Sequence, residues 1–396
     1  MDPSPARLPY FPHTLLRRHG ASALLIGLLA CGPQRSARAE GGLVYKYEDY
    51  REAGGRIEVR EQAGSATQDL DPETSLKLTG TIDAIAGATP TGQPAPVGTS
   101  QVPLTQLTER RKEWTGDLMR RFSDFSIDAG FADSRESDYV SRGWSVNTVT
   151  DFNQKNTSLL LGVAGTSDRV EVFFEPAYLP KHTADGIAGL TQLLDPLTSV
   201  SLTVSWGRVT GYLGEQHKLV QKTIQVIPGV FFPESFGENR PNEKDHGNAV
   251  LSLNRSFPSL AGAAEGSYRW YRDTFGITGN TAELAWFQHV GAKFSLRPSF
   301  RFYDQTAADF YHYNLDQTAI IPVRIPTGRG PNYSSDYRIS SLDSYSLGAK
   351  AIWQAGDHLQ LDLAFERYQM RGRDGLTPQS AYPLAAITTA GARISW

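Results

Sequence analysis

The chain has 396 residues, of which 40% are hydrophobic and 20% charged, and its 39 Lys and Arg against 42 Asp and Glu leave a net charge of -3. That balance supplies no global field for a polyanion, which argues against a nucleic-acid partner. Gly (37), Tyr (17) and Phe (18) are plentiful, a composition that suits strands and turns better than packed helices.

At the amino end, Arg17, Arg18 and His19 precede the apolar run ASALLIGLLA (21–30), and ARAE (37–40) supplies a small-x-small cleavage site after Ala39. The run is shorter than the ~20 apolar residues of a membrane-spanning helix. Residues 1–39 therefore read as an export signal and 40–396 as one mature domain. Cys31, at the end of LLAC, also fits a lipid-attachment box, the competing outcome to cleavage after Ala39. Cleavage removes the chain's single cysteine and with it any thiol chemistry.

Beyond residue 40 the period is two. Alternation places strands near 43–51, 55–68, 73–86, 107–120, 122–133, 138–150, 156–164, 186–194, 198–208, 245–256, 262–274, 279–289, 292–304, 336–353, 358–370 and 386–396. In VSLTVSW (200–206), Val200, Leu202, Val204 and Trp206 alternate with Ser201, Thr203 and Ser205. In KFSLRPSFRFY (293–303), Phe294, Leu296, Phe300 and Phe302 oppose Lys293, Ser295, Arg297, Ser299 and Arg301. Each strand has one dry and one wet face.

Several of these segments reach the ~9–11 residues of a tilted transmembrane strand, whereas strands of soluble proteins are usually ~5–6 long. Connectors alternate between short, such as QAGD (354–357), and long, such as 209–244 and 305–333. Aromatic residues sit near strand ends, as at Trp206, Trp270, Trp286, Trp353 and Trp396. These features predict an antiparallel transmembrane β-barrel of about 16 strands, within a range of 14–18, with long loops at one rim. The even count obliges RVEVFFEP (169–176) to be an outer loop or a continuation of strands above the membrane. The terminal ITTAGARISW puts Ala392, Ile394 and Trp396 on one face, the pattern of a closing strand read by the outer-membrane barrel assembly machinery. A soluble β-sandwich with Trp396 as a cap is the alternative.

The stretches YKYEDYREAGGRI (45–57), GTIDAIAGATPTG (80–92), LLDPLTSVSLTVSWGRVTGY (193–212), GSYRWYRDTFG (266–276), LRPSFRFYDQTAADFY (296–311) and YSSDYRIS (333–340) resemble the bacterial family known as domain of unknown function 3570. The resemblance covers nearly all of 42–396. It implies exported proteins of the Gram-negative outer membrane, with no functional residues to carry over. It also implies envelope partners, namely a small lipoprotein, a thioredoxin-like protein and flavinylated proteins, hence a redox link carried by the partners.

Motifs for catalysis, nucleotide binding or haem attachment do not occur, so neither enzymatic activity nor a cofactor is expected. On the wet faces, Lys293, Arg297 and Arg301 recur every fourth residue and Arg269 lies on a nearby strand, a basic ladder for a pore lining. Opposing carboxylates, Glu283, Asp362 and Glu366, offer the alternative of paired charges. Asp304, Asp309, His312 and Asp316 form a loop cluster whose spacing matches no calcium loop, and His182, His217 and His246 lack ligand spacing, so no metal is expected. The sequence thus reads as a monomeric barrel in outer-membrane lipid that acts as a pore, conduit or scaffold. A periplasmic binding protein and a barrel enzyme are the alternatives.

Overall fold

The computed structural model describes residues 41–172, 174–215 and 217–396. The export signal, Cys31 and the Ala39 site lie outside them. The strands are β1 Gly41–Glu52, β2 Glu58–Asp69, β3 Thr74–Pro90, β4 Leu104–Arg121, β5 Phe125–Arg135, β6 Tyr139–Phe152, β7 Thr157–Val172, β8 Glu175–Asp195 and β9 Thr198–Gly211. They continue with β10 Leu219–Ile227, β11 Val230–Gly237, β12 Glu243–Phe257, β13 Gly262–Asp273, β14 Thr278–Val290, β15 Phe294–Gln305, β16 Leu342–Gln354, β17 Leu359–Gly372 and β18 Leu384–Ser395. All but β10 and β11 form one closed antiparallel barrel of sixteen strands, each paired with its sequence neighbour, with β9 joined to β12 and β18 closing on β1. The remaining two make a separate hairpin inside the β9–β12 connection.

Closure follows from backbone chemistry. An open strand edge in hydrocarbon would leave a column of N–H and C=O groups unpaired, each costing several kcal/mol. The seam pairs Gly42 to Glu52 with Ser395 to Ala385, and Gly41 and Trp396 exchange backbone hydrogen bonds of 3.2 and 3.1 Å beyond it. The Trp396 indole lies over Gly41, where a Cβ would run into the ring. Glycine at 41 is therefore what lets the last aromatic cover the first residue of the wall.

The register sets every side chain's face. Ala392 stands opposite Tyr45 and Leu361, and Ile394 opposite Leu43 and Leu359, all on the outward surface. Leu202, Leu251, Leu284, Leu347 and Leu363 continue that surface, and Leu284 and Leu347 are 63% and 66% exposed. So extensive an apolar exterior is untenable in water and natural in lipid. All seven tryptophans point outward: Trp114, Trp144, Trp206 and Trp270 toward the outer rim, Trp286, Trp353 and Trp396 toward the inner one. They form two girdles around the leucine band.

Gly41, Trp396 and the short inner turns share the inner rim, and the long connections lie at the outer one. RVEVFFEP resolves as the tops of β7 and β8, which pair up to Val172 and Glu175 and rise above the membrane. The expected strand 336–353 is shorter than its pattern: β16 starts at Leu342, because Asp336 accepts a hydrogen bond from the Arg338 N–H and turns 337–339 into a 3₁₀ turn. Residues 219–237, read as loop, form the hairpin.

The two faces of β9 give a direct test. Leu202→Arg, in the middle of the lipid-facing band, should destabilise the barrel by about 2–4 kcal/mol in urea unfolding from lipid, whereas Thr203→Gln, one residue on and facing inward, should cost less than about 1 kcal/mol. Equal costs would mean that the faces are misassigned.

Candidate functional site: the lumen and its outer closure

The inward faces are polar and largely ion-paired. Arg297 meets Glu265 at 2.9 Å, Arg301 meets Glu283 at 3.0 Å, and Lys350 meets Asp362 at 2.8 Å. Arg111 pairs with Asp83 between β3 and β4. The basic residues singled out from the sequence are thus placed as follows. Arg297 and Arg301 face the lumen from β15, Arg301 matched by Glu283 of the adjacent β14 and Arg297 by Glu265 of β13, two strands away. Arg269 faces inward from β13, opposite Val250 and Thr281. Glu366 faces inward from β17, opposite Gly348 and Ile387. Lys293 lies outside β15, in the turn at the inner rim, where its carbonyl accepts from the Gln354 N–H. The column therefore carries no uncompensated row of cations along β15.

The loop cluster Asp304, Asp309, His312 and Asp316 does not converge. Asp304 accepts from Asn280 on the outward wall, Asp309 sits against Gly276, the His312 N–H donates to the Ser334 carbonyl, and Asp316 accepts from Thr223 of the hairpin. Among the described residues no group of three His, Cys, Asp or Glu is placed to hold a metal ion.

What the two longest outer connections build instead is a packed layer inside the outer mouth. Inward wall residues Tyr50, Tyr303, Tyr368 and Met370 form one buried apolar cluster with Tyr337 and Tyr382 of the loops. Tyr271 of β13 joins Phe275, Ile277, Phe310 and Ile339 in a second cluster, and Val220, Leu315 and Tyr333 form a third at the hairpin root. Polar stitches fix this layer to the wall. Gln305 donates to the Arg338 and Ser340 carbonyls at 3.0 and 2.8 Å, Ser340 and Tyr382 share a hydrogen bond of 2.7 Å, and the Arg56 guanidinium donates to the Ser380 carbonyl at 2.7 Å.

Among these loops lies a knot of six charged side chains, of which Lys218, Glu238 and Asp336 are buried and Glu215, Arg240 and Arg338 partly so. Arg240 meets Glu238 at 2.7 Å and Asp336 at 2.8 Å, and Arg338 meets Asp336 and Glu215 at 2.7 Å each. Ser334 donates to Glu238, and Lys218 donates to the Thr89 hydroxyl and the Pro90 carbonyl at the top of β3. Beside it, Asn239 accepts from the Thr327 and Gly328 N–H groups and donates to the Arg329 and Pro331 carbonyls, which ties the two connections together. Three acids and three bases cancel. Burial by itself would raise the Asp336 carboxyl, but Arg338 and then Arg240 outweigh it and hold it far below the usual carboxylate range. Burial raises the Glu238 carboxyl against the pull of Arg240. Burial, followed by the nearby Arg338 charge, pushes the Lys218 amine down to about 8.

The sequence reading missed this knot, because its members come from segments without periodicity. A usable trace exists: the stretch YSSDYRIS contains Ser334, Asp336 and Arg338, and opposite charges two residues apart recur in GENR as Glu238 and Arg240. Breaking such a pair leaves uncompensated buried charge, worth about 3–5 kcal/mol. Asp336→Asn should therefore expose 306–341 to protease in folded protein by orders of magnitude while leaving the barrel's resistance to cold SDS intact. Unchanged cleavage would show that the knot does not hold the layer.

Three structural likenesses accompany this geometry. The siderophore receptor PirA from Acinetobacter baumannii aligns with a TM-score of 0.41 at 10% identity over 85% of this chain, which spans 54% of the receptor's length. The CymD monoaromatic hydrocarbon channel aligns with a TM-score of 0.41 at 11% identity over 92% of this chain and 90% of its own. A bacterial polysaccharide outer membrane secretin aligns at 0.48 with 9% identity over 89% and 97%. Comparison with the curated proteins returns no match. The family described as "Protein of unknown function (DUF3570)" matches residues 21–179 and 178–382, and the chain belongs to it.

Proposed function

We propose that the chain is an outer-membrane conduit closed at its outer mouth by its own loops. The observation that carries the reading is the contrast between the two ends of the barrel. A polar, charge-balanced wall runs down to an inner rim of short turns, and the only thick covering among the described residues is the loop layer at the other end. Barrels of 16–18 strands are wide enough for an aqueous channel. An ion-paired wall passes polar solutes without a strong preference of sign, and a neutral, partly buried knot is a closure that opens only when several charges are solvated together. The chain itself supplies the passage and the closure, and no group in it is assigned a catalytic role.

A scaffold role has one observation in its favour. The tip of the β10–β11 hairpin carries Val226, Ile227, Phe231 and Phe232, all more than half exposed. An apolar tip on an outer projection suits contact with another envelope protein, and the lipoprotein, thioredoxin-like and flavinylated partners remain proposals of that kind.

Planar-bilayer recording separates the two. Wild-type protein should insulate or conduct only in brief openings, and the double variant Arg240→Ala/Arg338→Ala should conduct steadily. If that variant still migrates as a folded barrel and still insulates, the conduit reading fails and the scaffold reading stands.

A further inference from the structure

We infer that the outward wall of β1 to β6 holds a phosphate-bearing, acylated glycolipid of the outer leaflet at a built site. Two contiguous depressions of about 640 and 650 Å³ lie on this surface, and Tyr45, Gly64, Gly80 and Trp114 line both. The lower one is almost wholly apolar, with Leu78 and Ile394 on its sides. The upper one adds Lys112 and Arg135 together with Glu113 and Asp133.

Gly64 and Gly80 make the groove. They stand directly opposite each other in the middle of β2 and β3. Glycine inside a strand weakens it, and is normally explained by a positive φ or by a neighbour that leaves no room. Neither applies here, since neither residue lies in the left-handed region and a Cβ at either would meet nothing within 4 Å. The wall keeps an empty slot between Tyr45 and Trp114 that packing does not demand. An acyl chain laid along it would cover apolar surface on three sides instead of one, which distinguishes it from the general lipid around the barrel.

Directly toward the outer rim from Trp114, the same face turns cationic. Lys112 is opposite Arg135 in the register, an arrangement of like charges that destabilises a bare sheet. Arg142 on β6 and Arg110 on β4 flank them on the outward face. The carboxylate among these four cations is Asp133, which Arg135 meets at 2.7 Å and Arg142 at 3.3 Å. The next strands along are balanced, with Arg60 beside Glu58 and Arg51 on Asp49. Compared with β1 and β2, the patch above the groove thus carries an excess of positive charge, toward the rim where headgroup phosphates of the outer leaflet lie, and guanidinium and ammonium groups bind phosphate well. Apolar slot and cation patch together match an amphiphile with acyl chains below and phosphate above. This inference needs the chain in the outer leaflet and is independent of whether the lumen conducts.

The test is native mass spectrometry of the full chain, purified in mild detergent and offered equal amounts of diphosphorylated lipid A, its dephosphorylated form and phosphatidylglycerol. Wild-type protein should retain lipid A, with about tenfold less retained by Gly80→Leu, which fills the slot, and by Lys112→Gln/Arg135→Gln, which removes the phosphate partners. The dephosphorylated form and phosphatidylglycerol should be retained at least as poorly. Equal retention by wild type and the double Gln variant overturns the site, and so does indifference to the phosphates or a preference for phosphatidylglycerol. If Gly80→Leu fails to assemble, the double Gln variant decides alone, since both side chains are exposed on the outward face and Asp133 keeps Arg142 as its partner.

Discussion

The structure depends on one constraint: in hydrocarbon, each backbone N–H and C=O must find a partner within the protein. Sixteen strands satisfy it only if the last meets the first, and β18 does so on β1 over eleven residue pairs. The parity of side chains then follows without further choice. Once Leu43 and Ile394 share the outward face at the seam, the ladder carries that face around to Leu202, Leu284 and Leu363. The tryptophan girdles and the paired charges of the lumen are consequences of the same register, because a shift of one residue would put Arg297 and Glu283 into lipid.

A closed wall creates a second problem at its outer mouth, where long connections carry polar backbone over an opening. The chain answers it with aromatic packing against the inner wall and with a knot of charges among the loops. The knot is neutral in sum yet costly to disrupt in part, since each guanidinium serves two carboxylates: Arg240 serves Glu238 and Asp336, and Arg338 serves Asp336 and Glu215. A closure built this way is firm against small fluctuations and gives way as a unit. The lipid-facing slot over Gly64 and Gly80 sits on the opposite surface of the same wall, so lipid binding and closure share strands without sharing side chains.

Much of the wall was legible in the sequence, because alternation reports a two-sided environment directly. All sixteen barrel strands lie where period two places them, and parity left RVEVFFEP either an outer loop or a continuation of strands, of which the extended tops of β7 and β8 are what forms. Strand ends were less legible: Asp336 and Arg338 look like part of an alternating run but hydrogen-bond locally into a turn. The hairpin and the charge knot were invisible for a physical reason. Glu215, Glu238 and Asp336 meet through tertiary folding of segments far apart in the chain, and no local period records that. The pairing of Arg301 with Glu283 was within reach, since both lie on inward faces of adjacent strands, whereas Glu265 for Arg297 comes from two strands away.

The most direct measurement of the central claim is the gel mobility, boiled against unboiled, of protein expressed with its own amino-terminal segment and recovered from outer membranes. A closed barrel of this kind should sit in that fraction, resist cold SDS and migrate faster unboiled than boiled. Recovery as soluble periplasmic protein with no change on boiling would contradict it, and the outward leucine band would then have to be the core of a sandwich.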